Sequence, residues 1–199
     1  LEKAKEYLKK KGMAQAQKKS DRETHEGVVR CVYENGRVLG VKVLCETDFV
    51  AKNEAFQAMV DHLFSLLREY SKNADNLSAL EAQDADFAQK LHHTVQECVG
   101  KLGENMRLDD IYIKSGKAHV YNHPGDKISS VVFYQQTTND ESLLHQVAKD
   151  VCLQIAAMNP LYLDMDSVPL AEQQLLESQF QKELENSGKP EEIVRTIVQ

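Results

Sequence analysis

Asn35-Gly36 stands between two runs rich in β-branched residues, GVVRCVYE before it and RVLGVKVLCE after it. An Asn-Gly pair tolerates the positive φ angles of a two-residue hairpin turn, and the flanking residues favour two antiparallel strands. The second strand runs directly into CETDFVAKNEAF, Cys45 to Phe56, which carries an acidic group and an aromatic ring out of an apolar strand and into a helix. From there Phe56, Met59, Val60, Leu63, Leu67 and Tyr70 recur at helical spacing. That single apolar stripe is suited to cover one face of the hairpin.

The remainder of the chain alternates in the same way. Residues 71–86 are polar and read as a connection or a short irregular helix. A second helix follows, with Phe87, Leu91, Val95, Cys98, Val99 and Leu102 inward and Gly103 as its stop. MRLDDIYIK, KAHVYNH and KISSVVFYQQT then read as three strands of a second sheet, separated by Ser115-Gly116 and Pro124-Gly125. A helix from about Asp140 to Met158 is expected to bury Leu143, Leu144, Val147, Val151, Ile155 and Met158, and Asn159-Pro160 ends it. Ser167 and Val168-Pro169 mark the start of a long polar helix stopped near Gly188, and Pro190 opens a last one with Ile193, Val194, Ile197 and Val198 apolar. At the other end, residues 1–11 read as a short helix stopped by Gly12.

The expected class is therefore α+β: two similar small lobes, each an antiparallel sheet packed with helices, plus a short N-terminal helix and C-terminal helices. The expected division is a remnant of an N-terminal helical module and linker over 1–20, an N-terminal α+β subdomain over 21–105, and a C-terminal α+β subdomain with the beginning of a helical hairpin region over 106–199. The apolar residues near the C-terminus still need cover, so the polypeptide is expected to be a piece of a larger protein.

No run reaches the roughly 18 apolar residues of a membrane span, and the first segment does not read as a secretory signal. A cytoplasmic protein without membrane contact is expected. The net charge of −7 argues against a phosphate-tracking surface over the whole molecule, and no specific nucleic acid is expected. The one strong basic cluster, seven lysines between Lys3 and Lys19, reads as a solvated helix face or as a contact for an acidic partner or RNA. Cys31, Cys45, Cys98 and Cys152 are widely spaced in apolar surroundings and read as reduced core residues.

There is no phosphate-binding GxxxxGK[ST] loop, no GxGxxG after a strand and no HExxH. Asp109-Asp110 reads as a turn or strand edge in preference to a metal site, and His92 and His93 have no recognisable ligand partners. Glu46 and Asp48 share a strand parity, but no second pair completes an acid and base constellation. Covalent catalysis is not expected. Asp48 and Phe49 remain the best functional candidates. A local role stays open beside that one, in which Thr47 or Asp48 caps backbone while Phe49 and Val50 staple the next helix. His123, beside Pro124-Gly125, reads either as an ordinary loop residue or as a contact at the tip of an exposed hairpin.

CETDFVAKNEAF resembles the elongation factor Ts family, the guanine nucleotide exchange factors of the translational GTPase elongation factor Tu. The likeness extends in order through Lys9-Lys10-Lys11-Gly12, Lys101-Leu102-Gly103-Glu104-Asn105-Met106, Tyr121-Asn122-His123, Ala156-Ala157-Met158-Asn159-Pro160 and Ser187-Gly188-Lys189-Pro190. The resemblance implies a helical ubiquitin-associated-like module, two α+β subdomains, an antiparallel helical hairpin inserted in the second, and a short C-terminal module. On that pattern the chain begins in the last helix of the first module and ends early in the inserted hairpin, which is expected to weaken affinity and hairpin-mediated self-association. The resemblance makes elongation factor Tu the partner, with Mg²⁺ and GDP belonging to that partner and no cofactor or metal of the chain's own. It makes Phe49 the wedge near the partner's Mg²⁺ and phosphate site, with Asp48, Thr47 and Val50 in the same element and His123 touching a separate region of the GTPase. The alternative reading is a non-catalytic interaction module or chaperone-like binder of a translation GTPase.

Overall fold

A computed structural model describes residues 18–135 and 140–185. The chain divides into two compact units, Leu1–Met158 and Asn159–Gln199. In the first, strands β1 (Glu26–Glu34) and β2 (Arg37–Cys45) form the expected hairpin, in register from Glu34 opposite Arg37 to Glu26 opposite Cys45. Its turn uses positive φ at both Asn35 (52°) and Gly36 (72°), as a turn matched to strand twist requires. A four-residue helix α1 (Asp48–Ala51) follows at once, then α2 (Glu54–Glu69), α3 (Leu77–Gln83) and α4 (Ala85–Leu102). Asn53 caps α2 by accepting from the Ala55 amide at 2.8 Å. Gly103, at φ 81°, closes α4 in the left-handed conformation and donates back to the Val99 carbonyl at 2.9 Å.

The next three strands are β3 (Met106–Ser115), β4 (Ala118–Asn122) and β5 (Ser129–Phe133), followed by α5 (Glu141–Met158). They do not form one second sheet, as the sequence pattern suggests. β3 pairs antiparallel with β2 along its whole length and completes a three-stranded sheet of order β1-β2-β3, leaving β4 and β5 as a two-stranded sheet. The reason lies in the apolar residues of β3. Met106, Leu108, Ile111 and Ile113 are all buried, and they belong to the core under α2 and α4. Their parity changes between Leu108 and Ile111, and the register shifts where Lys42 faces Asp110 while Val43 faces Leu108. Asp109 is the extra residue of a bulge, which returns the following isoleucines to the core side.

One face of the three-stranded sheet carries Val28, Leu39, Val41, Val43, Ile111 and Ile113 against Phe56, Val60, Leu63, Leu67, Leu91 and Val95 of α2 and α4. The α2 stripe is the one its periodicity predicts. On the other face Val38 is fully buried, and Tyr112 meets Phe133 of β5 with ring centroids 6.3 Å apart. α5 covers the second sheet with small residues: Ala148 and Cys152 are buried, and Ser130 donates to the Cys152 carbonyl at 2.8 Å. Of the stripe read from sequence, Leu144 and Ile155 are half-buried, and the buried face is rotated from the rest. Leu143, Val147, Val151 and Met158 are exposed, because a two-stranded sheet offers a narrow floor that admits close approach only through Ala148 and Cys152.

In the second unit a 3-10 turn (Met165–Ser167), capped by Asp164, precedes α6 (Leu170–Glu185). The helices expected over residues 1–11 and after Pro190 lie outside the described residues. Among the described residues no helix is long and apolar enough to cross a membrane.

Candidate functional site

The TDFV segment is a single rigid turn. Thr47 is extended (φ −127°, ψ 155°) and caps α1, its hydroxyl oxygen accepting from the Val50 amide at 3.4 Å. The turn directs its residues apart. Ala51 is buried, Val50 packs against the core, and Phe49 projects outward with 82% of its surface exposed. An aromatic ring that open to water contributes almost nothing to folding, since it is not removed from solvent. Asp48 joins Lys52 one turn on at 2.8 Å. The hydrogen bond from Lys52, and then its charge, holds the Asp48 carboxyl below its usual range. Both side chains are exposed, so the pair orients Asp48 without adding much stability.

A brace lies beneath this turn. The Glu104 carboxylate accepts from the Thr47 hydroxyl at 2.9 Å and from the Thr47 amide at 3.1 Å. Next to it, Glu46 accepts from the Asn105 amide at 2.5 Å, and the buried Asn105 side chain donates to the carbonyls of Arg22 (2.7 Å) and Ser20 (3.3 Å). Gly103 makes this possible: its left-handed turn at the end of α4 reverses the chain and sets Glu104 and Asn105 against the strand-to-helix junction. The sequence places Glu104 in the Lys101-to-Met106 run of the family likeness but assigns it no role, because nothing local ties it to a threonine 57 positions away.

Cys45, just before the junction, is fully buried, and its thiol donates to the Thr47 carbonyl at 3.1 Å. Burial first, and the Glu104 charge second, push its pKa up to about 11. It stays a neutral thiol near pH 7 and offers no nucleophile. Burial raises the other three free cysteines as well.

His123 stands apart on the β4–β5 turn, exposed. Its Nδ1 shares a hydrogen bond with the Tyr121 hydroxyl at 3.0 Å, its amide donates to the Ile128 carbonyl at 2.9 Å, and its carbonyl accepts from the Asp126 amide at 3.0 Å. The structure therefore brings Thr47, Asp48, Phe49 and Val50 together on one turn and leaves His123 on another element. The remaining polar candidates have structural partners. Asp109 pairs with Lys42 and Arg107, Asp110 accepts from the Leu77 amide at the start of α3, His92 meets Glu81 and His93 meets Glu97.

A projecting ring on a braced turn, with no enclosing pocket around it, is the geometry of a contact surface. The family described as Elongation factor TS matches residues 46–199, beginning at the Glu46 of this junction. The chain belongs to the elongation factor Ts family. Among its curated relatives, elongation factor Ts of Clostridium kluyveri is 38% identical over 203 residues, covering 99% of this chain and 66% of the relative. Elongation factor Ts of Aquifex aeolicus is 34% identical over 211 residues, covering all of this chain and 71% of the relative. That of Chloroherpeton thalassium is 33% identical over 204 residues, with 100% and 70% covered. The chain thus spans 66% of the length of the Clostridium kluyveri factor.

Proposed function

We propose that this chain is a guanine nucleotide exchange factor that binds elongation factor Tu·GDP and accelerates GDP release by disturbing the partner's Mg²⁺ and phosphate site. No covalent bond is made or broken, and Mg²⁺ and GDP belong to the partner. The observation that carries the reading is Phe49: a large apolar ring, 82% exposed, on a turn fixed from below by Glu104. Aromatic anchors presented on rigid supports are favoured where a few residues carry most of the binding energy.

The mechanism is a coupling free energy. A factor that binds the nucleotide-free GTPase more tightly than the GDP form must weaken GDP binding by the same ratio. Phe49 supplies the difference if its ring enters only when the elements supporting Mg²⁺ have moved, since loss of that cation leaves the phosphate charge poorly compensated. Asp48 orients the turn through Lys52 or accepts a hydrogen bond from the partner, Thr47 and Val50 fix it to the core, and His123 makes a second contact elsewhere on the GTPase. The division at 105/106 into two similar α+β subdomains belongs to the same proposal, with β3 as the strand by which the second subdomain joins the first sheet. The work is cytoplasmic and involves neither membrane nor specific nucleic acid.

The test is release of a fluorescent guanine nucleotide from elongation factor Tu, at fixed Mg²⁺ and in excess unlabelled GDP, as this chain is added. A saturable rise in release rate is expected. Binding with an unchanged release rate overturns the exchange reading in favour of an interaction module.

A further inference from the structure

Arg30 lies in the middle of β1 on the face turned toward α2, in line with the buried Val28 and with Val32, which packs against the same core. A guanidinium in such a row is costly unless its donors are matched. Arg30 is matched by a particular set. Its Nη2 donates to Gln57 Oε1 of α2 at 2.7 Å and to the Asp126 carboxylate of the β4–β5 turn, while Nη1 lies 3.5 Å from the Asp61 carboxylate.

The two Nη2 partners lead in opposite directions. Gln57 turns its Nε2 to the carbonyl of Ala51, the last residue of α1, at 2.6 Å. Asp126 holds a left-handed backbone (φ 52°), donates its amide to the His123 carbonyl at 3.0 Å, and accepts from the Val29 amide at 2.7 Å. An unbroken polar chain therefore runs from the turn that carries Phe49, through Gln57, Arg30 and Asp126, to the turn that carries His123. Asp126 is 27% exposed and Arg30 23% exposed at the side chain, so water competes only partly for this link.

We propose that Arg30 is a positioning residue that fixes the Phe49 turn and the His123 turn in one frame, so that both meet the GTPase in a single binding event. This rests on the function proposed above. A fixed frame makes the second contact intramolecular once the first has formed, and loosening it lowers affinity without removing either contact. A guanidinium suits the task, because its planar fork holds donors in set directions where a point charge would not.

The test uses the full chain and Arg30→Gln, with equilibrium affinity for nucleotide-free elongation factor Tu and the saturated nucleotide release rate measured separately. Arg30→Gln is expected to weaken affinity about two- to threefold, no more than His123→Ala does in the unaltered chain, while the saturated release rate stays close to that of the unaltered chain, because Phe49, Thr47 and Glu104 are untouched. In addition, His123→Ala is expected to weaken affinity less in the Arg30→Gln background than in the unaltered one. Asp126→Asn keeps the turn and removes only the charge, and should reproduce both results if Arg30→Gln folds poorly. Unchanged affinity in variants that merely melt earlier, or an equal cost of His123→Ala in both backgrounds, overturns the proposal in favour of a purely structural ion pair. If the unaltered chain binds but does not speed release, the exchange reading falls while the affinities still decide the role of Arg30. If it does not bind, both fall.

Discussion

Phe49 and His123 are both exposed rings, yet they are held in different ways. Phe49 rides on a helical turn whose capping residue, Thr47, is gripped at two atoms by Glu104, and the turn sinks Ala51 into the core. His123 sits on a strand-to-strand turn kept in place by hydrogen bonds to Tyr121, Ile128 and Asp126 and by the side chain of Arg30 acting on Asp126. The first element is anchored to the core, and the second is docked on a strand. On the proposed function the wedge depends on the Glu104 brace and the second contact on the Arg30–Asp126 link, so the two supports can be disturbed separately.

The sharpest way to break this contrast is Phe49→Ala. Loss of a central aromatic anchor is expected to lower exchange by about 30-fold or more, the equivalent of roughly 2 kcal/mol. The melting temperature should scarcely move, because the ring is 82% exposed. Full retained exchange in stopped-flow release would end the wedge assignment. Glu104→Ala tests the support in place of the ring. It removes a charged acceptor from Thr47, and thermal or denaturant unfolding should show about 2 kcal/mol lost, with exchange reduced several-fold at temperatures where the variant is folded. Exchange unaffected by that loss would mean that Phe49 acts without being pre-set. His123→Ala is expected to weaken binding only a few-fold, since contacts away from a hot spot are worth little. An effect equal to that of Phe49→Ala would erase the distinction.

The smallest effect concerns pH and the sheet that carries His123. His119 of β4 stacks edge-on against His145 of α5 at 4.6 Å. Burial first, then the charges of His145 and Lys149, lower its pKa below the ordinary 6.5. The unfolded chain therefore takes up this proton first. The contribution to stability is full above pH 6.5 and declines as pH falls through the window between that value and the lower folded one. Melting curves of the unaltered chain and His119→Gln should converge as pH falls through that window. Parallel curves would show that His119 does not titrate differently on folding.

The hairpin, the α2 stripe and the Gly103 stop were legible because each rests on local rules: positive φ at Asn35-Gly36, helical spacing from Phe56 to Leu67, and a left-handed residue after α4. The Thr47-to-Val50 turn was legible as a junction for the same reason. What failed to show was whatever depends on a distant partner. The sheet chosen by β3 is decided by which helices remain uncovered, and its parity switch at Asp109 hides the apolar face from a simple period-two reading. The rotation of α5 depends on the narrowness of β4–β5. Glu104 and Arg30 are ordinary charged residues in sequence, and only the reversal at Gly103 and the docking of the β4–β5 turn give them Thr47 and Asp126 as partners.

Asn122, the last residue of β4, accepts from the Cys31 amide at 2.9 Å and donates to the Cys31 carbonyl at 2.9 Å. With Asp126 meeting the Val29 amide and Lys127 meeting the Gly27 carbonyl, successive outward groups of β1 are occupied by a turn. A strand with a bare outer edge is a template for the same strand of another molecule. The end of β4 and the β4–β5 turn therefore also cover part of the outer edge of β1 against edge-to-edge pairing.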